Sequence, residues 1–157
     1  MNKKTIGVTT VIIILFLFFI AACSKENQPI KETKLDALIL NKEKINTISV
    51  YLEQEGTPKY IFRNSNQINK ILNQLKDVTV KKLTVQEEKK FMQNGRKLQE
   101  KGLLFVDLRE KDKLPSGELF IWPDGSIYVI DVKSIKNTRT KAYLSVDNHL
   151  KLYQFIF

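Results

Sequence analysis

The sequence has little of the side-chain chemistry from which metal and thiol sites are built. It contains one cysteine, Cys23, and one histidine, His149, in 157 residues. A single cysteine excludes a disulfide within the chain, and a zinc site needs several cysteine, histidine or carboxylate ligands. We therefore expect no metal site and no cofactor.

Catalytic motifs are equally scarce. There is no Gly-x-Ser-x-Gly, no Ser-x-x-Lys with its companion motifs and no glycine-rich phosphate loop. Acids do lie in or near the predicted strands, and two of them would suffice for the acid/base pair of a glycosidase: Asp107, Glu118, Asp124 and Asp131. Turn chemistry also explains Asp124, and a solvent-facing strand end also explains Asp131. The sequence favours a non-enzymatic protein, with a wall- or glycan-directed enzyme as the alternative.

The first 22 residues have the layout of a secretory signal peptide. Lys3 and Lys4 precede an uncharged, largely apolar run from Ile6 to Ala22, which is short for a bilayer span of roughly 20 apolar residues. Ile20-Ala21-Ala22-Cys23 resembles the lipobox of bacterial lipoproteins. That resemblance implies cleavage between Ala22 and Cys23 and a diacylglyceryl thioether on Cys23. An ordinary N-terminal membrane anchor with a chance cysteine is the alternative.

This interpretation predicts the organisation and location of the chain. We expect a signal peptide over 1–22, a lipidated tether over 23–43 and one α+β domain over 44–157. A diacyl anchor would hold the domain stably on the extracytoplasmic side of the cell membrane. Loss of Lys3 and Lys4 lowers the formal net charge from +9 to +7.

A basic, membrane-tethered domain favours anionic partners such as phospholipid headgroups or wall polyanions. Simple solubility is an equally good reason for the lysine content. Because the domain is expected to lie outside the cell, we expect no nucleic-acid partner. The sequence does not determine the oligomeric state.

Apolar periodicity predicts two or three helices and a sheet of five to seven strands. Ile68, Ile71, Leu72 and Leu75 form one helical stripe, with Asn64 or Ser65 as its N-cap. Thr84 and Glu87 have capping-box spacing, so the polar segment 84–101 is either a helix or a mobile loop. A last helix is expected over 146–156, with Val146, Leu150 and Tyr153 on one face.

The remaining segments alternate as strands do, and Pro123-Asp124-Gly125 predicts a tight hairpin. Local hairpins without βαβ alternation predict an α+β fold, with an antiparallel sheet and helices mainly on one face. The expected strands are 48–52, 59–63, 78–80, 103–108, 118–122, 126–131 and 142–145.

The order of these elements resembles the small YhfM-like domain of lipoproteins from Bacillus-type bacteria. The resemblance covers roughly 44–157 and depends on three anchors: the strand with Trp122, the Asp124-Gly125 turn and the Tyr143-Leu144-Ser145 strand end. It implies no assigned enzymatic activity, so no catalytic residue is carried over.

A possible ligand or partner surface follows the Trp122 hairpin. It combines two aromatic residues with a basic loop: Trp122, Tyr128, Lys133, Lys136, Arg139 and Lys141. Lys111 and Lys113 would extend this basic rim. The alternatives are core packing for the aromatic side chains and a solvated loop for the basic ones. A third possibility is an interaction protein that docks a membrane partner through a sheet edge or this loop.

Overall fold

The computed structural model describes residues 31–52, 56–93, 101–111, 113–134 and 140–157. The predicted signal peptide, Ala22 and Cys23 lie outside these residues. Residues 31–157 form one compact unit. Its described strands are β1 (Glu32–Lys34), β2 (Thr47–Leu52), β3 (Tyr60–Phe62), β4 (Thr79–Lys82), β5 (Leu104–Arg109), β6 (Pro115–Ile121), β7 (Ile127–Ile130) and β8 (Ala142–Ser145). Its described helices are α1 (Ser65–Lys76), α2 (Val85–Gln93) and α3 (Leu150–Ile156).

The eight strands form one open sheet in the order β1-β4-β8-β7-β6-β5-β2-β3. Every neighbouring pair is antiparallel. The α+β class and the antiparallel sheet are therefore confirmed, and the expected number of strands was too low. Because strand side chains alternate, the sheet has two distinct faces.

The additional strand is β1, from a segment that the sequence assigned to the tether. Glu32 pairs with Lys81, and Lys34 pairs with Thr79. Leu35 follows fully buried in a short 3₁₀ turn over Leu35–Leu38. The domain therefore begins at least 12 residues earlier than position 44. A three-residue polar edge strand has no alternation of its own, so its sequence gives no strand signal.

The first face of the sheet carries the main hydrophobic core under α1 and α3. α1 buries Ile68, Ile71 and Leu75 against the inward residues of the central strands. The side chain of Asn64 caps this helix by accepting hydrogen bonds from the backbone N–H groups of Asn66 and Gln67. Both the apolar stripe and the cap were expected from the sequence.

The second face carries a smaller core under α2. Thr84 and Glu87 form the reciprocal capping box, with N···O distances of 2.8 and 3.2 Å, so the helical alternative is correct for 85–93. Phe91 packs on Trp122 and Tyr128, with ring centroids 5.3 and 5.0 Å apart. Residues 94–100 lie outside the described part of the chain.

The hairpin between β6 and β7 has the expected turn. The Gly125 N–H donates to the Trp122 carbonyl at 2.9 Å, and the Asp124 carboxylate accepts from the Ser126 N–H at 2.8 Å. Gly125 has a φ of +85°, and an added Cβ would lie 2.4 Å from the backbone nitrogen of Leu150. Only glycine fits both the conformation and the space.

The last helix is shorter than expected and presents another face. It begins at Leu150, and the bend before it is held by a 2.7 Å hydrogen bond from the His149 N–H to the Gly125 carbonyl. Val146 and Leu150 are exposed, whereas Leu152 and Ile156 are buried. The predicted apolar face over Val146, Leu150 and Tyr153 was therefore wrong, because contact with the hairpin sets where the helix starts.

Candidate anion-binding groove

A concave groove of about 930 Å³ lies where β2 begins and where β3 and β5 end. The pairing of β2 with both β3 and β5 brings these three strand ends together. The lining contains four cationic side chains and one carboxylate: Asn46, Thr47, Arg63, Arg109, Glu110, Lys111 and Lys113. The groove is therefore a positively charged recess at one end of the sheet.

Arg109 is the best-positioned cation of this groove. Its Nε donates to Oδ2 of Asp107 at 2.5 Å, and only 2 % of Asp107 is exposed. The two residues are separated by two positions on β5, so their side chains share the second face of the sheet. The carboxylate holds the guanidinium in place and leaves its two terminal nitrogens without a partner among the described residues.

The other cations of the groove differ in how they are balanced. Lys113 pairs with Glu110 at 2.7 Å. Arg63 and Lys111 form no ion pair or hydrogen bond within the described part of the chain. The site thus offers one oriented guanidinium and two unbalanced positive charges.

This combination suits a carboxylate or a phosphate. A guanidinium fork presents parallel N–H donors that match two oxygens of such a group, and charge-assisted hydrogen bonds are about twice as strong as neutral ones. The Thr47 hydroxyl, which donates to Oδ1 of Asn46 at 3.2 Å, adds a polar wall. The groove can therefore bind an anion without a metal ion.

A second polar feature lies beside Arg109 on the same sheet face. Glu118 is the direct cross-strand partner of Asp107. Burial, and then the negative charge of Asp107, raise the pKa of Glu118, while Arg109 opposes this shift. Oδ1 of Asp107 has no hydrogen-bond partner within the described residues. The structure thus brings together two of the four acids that the sequence singled out.

The other two acids serve local structure. Asp124 caps the hairpin, and Oδ1 of Asp131 accepts from the Lys133 N–H at 3.0 Å. His149 is half-buried, and burial lowers its pKa. Within the described ranges no group of three or more His, Cys, Asp or Glu side chains is arranged to hold a metal ion.

The surface predicted from the sequence is divided by the structure. Trp122 and Tyr128 are buried in the second core, so they provide almost no surface for a ligand. Lys133 and Lys141 are exposed, whereas Lys136 and Arg139 lie outside the described residues. Lys111 and Lys113 do line the groove.

Arg63 and Arg109 were not among the site residues predicted from the sequence. The Asp107-x-Arg109 spacing on a strand was the available signal, because it places an acid and a base side by side on one face. Arg63 gave no such signal, since only the pairing of β2 with β3 brings it to the groove.

Comparison of the chain with protein-family models, curated proteins and solved structures found no match. Within the described residues, no helix has the length and apolar character needed to cross a membrane.

Proposed function

We propose that this chain is a lipid-anchored extracytoplasmic protein whose domain binds an anionic group without catalysing a reaction. The observation that carries the proposal is the groove in which Asp107 holds Arg109 beside the unbalanced Arg63 and Lys111. The resemblance to the YhfM-like domain stays a prediction, and it implies no assigned enzymatic activity.

The lipid anchor is supported by the four residues that end the apolar N-terminal run, Ile20 to Cys23. In the bacterial host, we expect the mature N-terminal peptide to begin at Cys23 and to carry the mass of a diacylglyceryl group. The Cys23→Ser variant is expected to retain the leader. An unmodified Cys23 in the wild-type protein would refute the anchor.

Binding is best tested on a soluble form that begins at Ser24. All buried hydrophobic side chains of the described domain lie between Leu35 and Ile156, so this form retains the core. We expect sn-glycerol 1-phosphate to bind with an affinity that falls at least tenfold in Arg109→Gln. A charge-assisted hydrogen bond contributes about 1.5–3 kcal/mol, and about 1.4 kcal/mol corresponds to tenfold in affinity.

The matched control for this titration is Lys151→Gln, which removes an exposed positive charge from α3. It has the same effect on net charge and leaves the groove unchanged. Isothermal titration calorimetry at low ionic strength gives both affinities. Equal losses in the two variants would mean that the protein attracts anions only through its net charge.

A second candidate function is a glycan-directed enzyme that uses Asp107 and Glu118. It is favoured by their cross-strand pairing and by the raised pKa of Glu118, since a glycosidase needs one protonated and one ionised carboxyl group. The burial of Asp107 and its contact with Arg109 disfavour it. Hydrolysis of a wall glycan that is abolished in Glu118→Gln would establish the enzyme and refute the binding proposal.

A further inference from the structure

The loop between β5 and β6 presents an unusual exposed leucine beside the groove. Leu114 is 78 % exposed, more than any other large hydrophobic residue in the described part of the chain. It directly precedes β6 and follows Lys111 and Lys113, both of which are exposed and line the groove. Between them, Asp112 lies outside the described residues. Binding to a membrane surface combines insertion of apolar side chains with attraction of cations to anionic lipids, and this loop offers both.

The positive charge extends beyond this loop. The Leu40 N–H donates to the Ser116 carbonyl at 2.8 Å, and Nζ of Lys133 donates to the Ala37 carbonyl at 3.4 Å. These contacts place neighbouring segments of the chain at the same end of the sheet. We call this region the basic end and define it by eight exposed cations: Lys42, Lys44, Arg63, Arg109, Lys111, Lys113, Lys133 and Lys141.

The acids of the basic end are mostly turned inward. Asp107 and Asp131 are buried, and Asp36 and Glu110 are paired with lysines and are largely covered. Among the described residues, two exposed acids remain at this end: Glu43, in the 3₁₀ turn over Lys42–Lys44, and Glu32, at the start of β1. The outer layer of the basic end is therefore positive, which favours an anionic surface over an anionic point ligand alone.

The chain also enters the domain at this end of the sheet. β1 starts at Glu32, which pairs with Lys81 near the end of β4. The Leu83 N–H, just after β4, donates a 2.9 Å hydrogen bond to the carbonyl of Ala142, the first residue of β8, so the end of β4 lies beside the start of β8 at the basic end. The eight residues 23–30 reach at most about 29 Å when extended. A unit of this size has a radius of gyration of about 14 Å, so the tether is no longer than the domain is wide.

We propose that Lys111, Lys113 and Leu114 dock the domain onto the anionic phospholipid surface of the membrane that carries its anchor. The lysines and the groove arginines contact headgroup phosphates, and Leu114 inserts among the acyl chains. This inference rests on the proposed lipid anchor and names the ligand of the groove as a headgroup of that membrane. The basic patch contributes electrostatic attraction and Leu114 contributes apolar insertion, and these two kinds of contact add to the binding provided by the lipid anchor.

The test uses the full lipidated protein in vesicles and a matched pair of tryptophan variants. Leu114→Trp places the reporter at the basic end. Leu150→Trp places it at the start of α3, beside the Gly125 turn at the opposite end of the sheet, where Leu150 is 47 % exposed. Native Trp122 is buried and supplies the same background in both. Brominated acyl chains then quench any tryptophan that enters the hydrocarbon region.

In vesicles with one third phosphatidylglycerol, we expect at least twofold stronger quenching for Leu114→Trp than for Leu150→Trp. The difference should disappear in phosphatidylcholine vesicles and when Lys111 and Lys113 are both replaced by glutamine. Equal quenching of the two variants, or strong quenching in neutral vesicles, would overturn the docking proposal. Leu114 and Leu150 are both exposed, so the melting temperature of each tryptophan variant should match that of the wild type. A matching melting temperature shows that the variant is folded.

The readouts separate this inference from the proposed function. If the mass of the N-terminal peptide shows no lipid, the anchor fails and so does the docking that depends on it. If the protein is lipidated and binds sn-glycerol 1-phosphate, but Leu114→Trp is not quenched, the groove takes a free anion and the docking inference alone is refuted.

Discussion

Removing the Arg109 guanidinium should leave the buried carboxylate of Asp107 without a partner among the described residues. Asp107 is 2 % exposed, and its Oδ1 already lacks a partner within the described residues, so Oδ2 depends on Arg109. Breaking a fully buried ion pair on one side costs about 3–5 kcal/mol. The side chain of Arg109 is 48 % exposed, so solvent already screens part of the interaction.

We therefore expect Arg109→Gln to lower the free energy of unfolding by about 2 kcal/mol. For a domain of this size, that corresponds to a fall of roughly 8 °C in the melting temperature. Asp107→Asn removes the buried charge and should cost about 1 kcal/mol or less. The double variant should resemble Asp107→Asn alone, because Arg109 has no charge left to neutralise.

Urea unfolding of the four proteins, followed by circular dichroism, gives the coupling free energy of this cycle. Lys113→Gln is the control, since it breaks an ion pair of 2.7 Å in the same loop whose lysine is 62 % exposed. Exposed pairs contribute about 0–1 kcal/mol, so this variant should hardly change stability. Equal effects of Arg109→Gln and Lys113→Gln would show that Asp107 does not depend on Arg109.

Three further predictions concern the Gly125 turn, the main hydrophobic core and the partly buried Glu118. Gly125→Ala should lower the free energy of unfolding by about 3 kcal/mol, because alanine would have to adopt a φ of +85° and its Cβ would clash with the backbone of Leu150. Gly56 has nothing within 4 Å of an added Cβ, so Gly56→Ala should cost under about 1 kcal/mol in the same chemical denaturation. Ile71→Ala should lower the free energy of unfolding by about 2–5 kcal/mol because it leaves a cavity in the core, and Ile61→Ala, at an exposed position, should lower it by under about 1 kcal/mol. Equal losses would contradict the assignment of Ile71 to the core. Because the pKa of Glu118 is raised in the folded state, its protonated form stabilises the fold. This contribution is fully present below pH 4.5, the ordinary pKa, and is lost as the pH rises through the folded-state pKa. Glu118→Gln should therefore match the wild type near pH 4 and be more stable near pH 7, and a gap independent of pH would contradict this.

Much of the fold was predictable because its signals are local. The Asn64 cap, the stripe from Ile68 to Leu75 and the Thr84–Glu87 capping box each lie within one helical segment. The Gly125 turn likewise needs only four consecutive residues. In each case, residues close in sequence determine the local conformation.

The elements that were missed depend on distant parts of the chain. β1 exists because Glu32–Lys34 pairs with β4, more than 40 residues away, and its own residues are polar. α3 starts late because the preceding bend is hydrogen-bonded to the Gly125 turn. Neither partner can be identified from the segment alone.

The candidate site could not be predicted from the sequence for the same reason. Arg63 and Arg109 are 46 positions apart in the sequence, and only β2, which pairs with both β3 and β5, brings them to one groove. Conversely, Trp122 directly follows β6 and Tyr128 lies on the adjacent β7, and two aromatic residues so placed fit a ligand platform and a core equally well. The packing of Phe91 onto both of them decides for the core.

Anion binding by an oriented Arg109 is the central claim, and the nitrogen resonances of arginine side chains report on it directly. In a titration of the soluble form with sn-glycerol 1-phosphate, followed by ¹⁵N NMR, we expect saturable shifts at Arg109 and Arg63. Arg109→Gln should raise the ligand concentration that half-saturates the shift at Arg63 at least tenfold, and Lys151→Gln should leave both shifts intact. Small, unsaturated shifts spread over all basic side chains, with none favouring Arg109, would contradict the account.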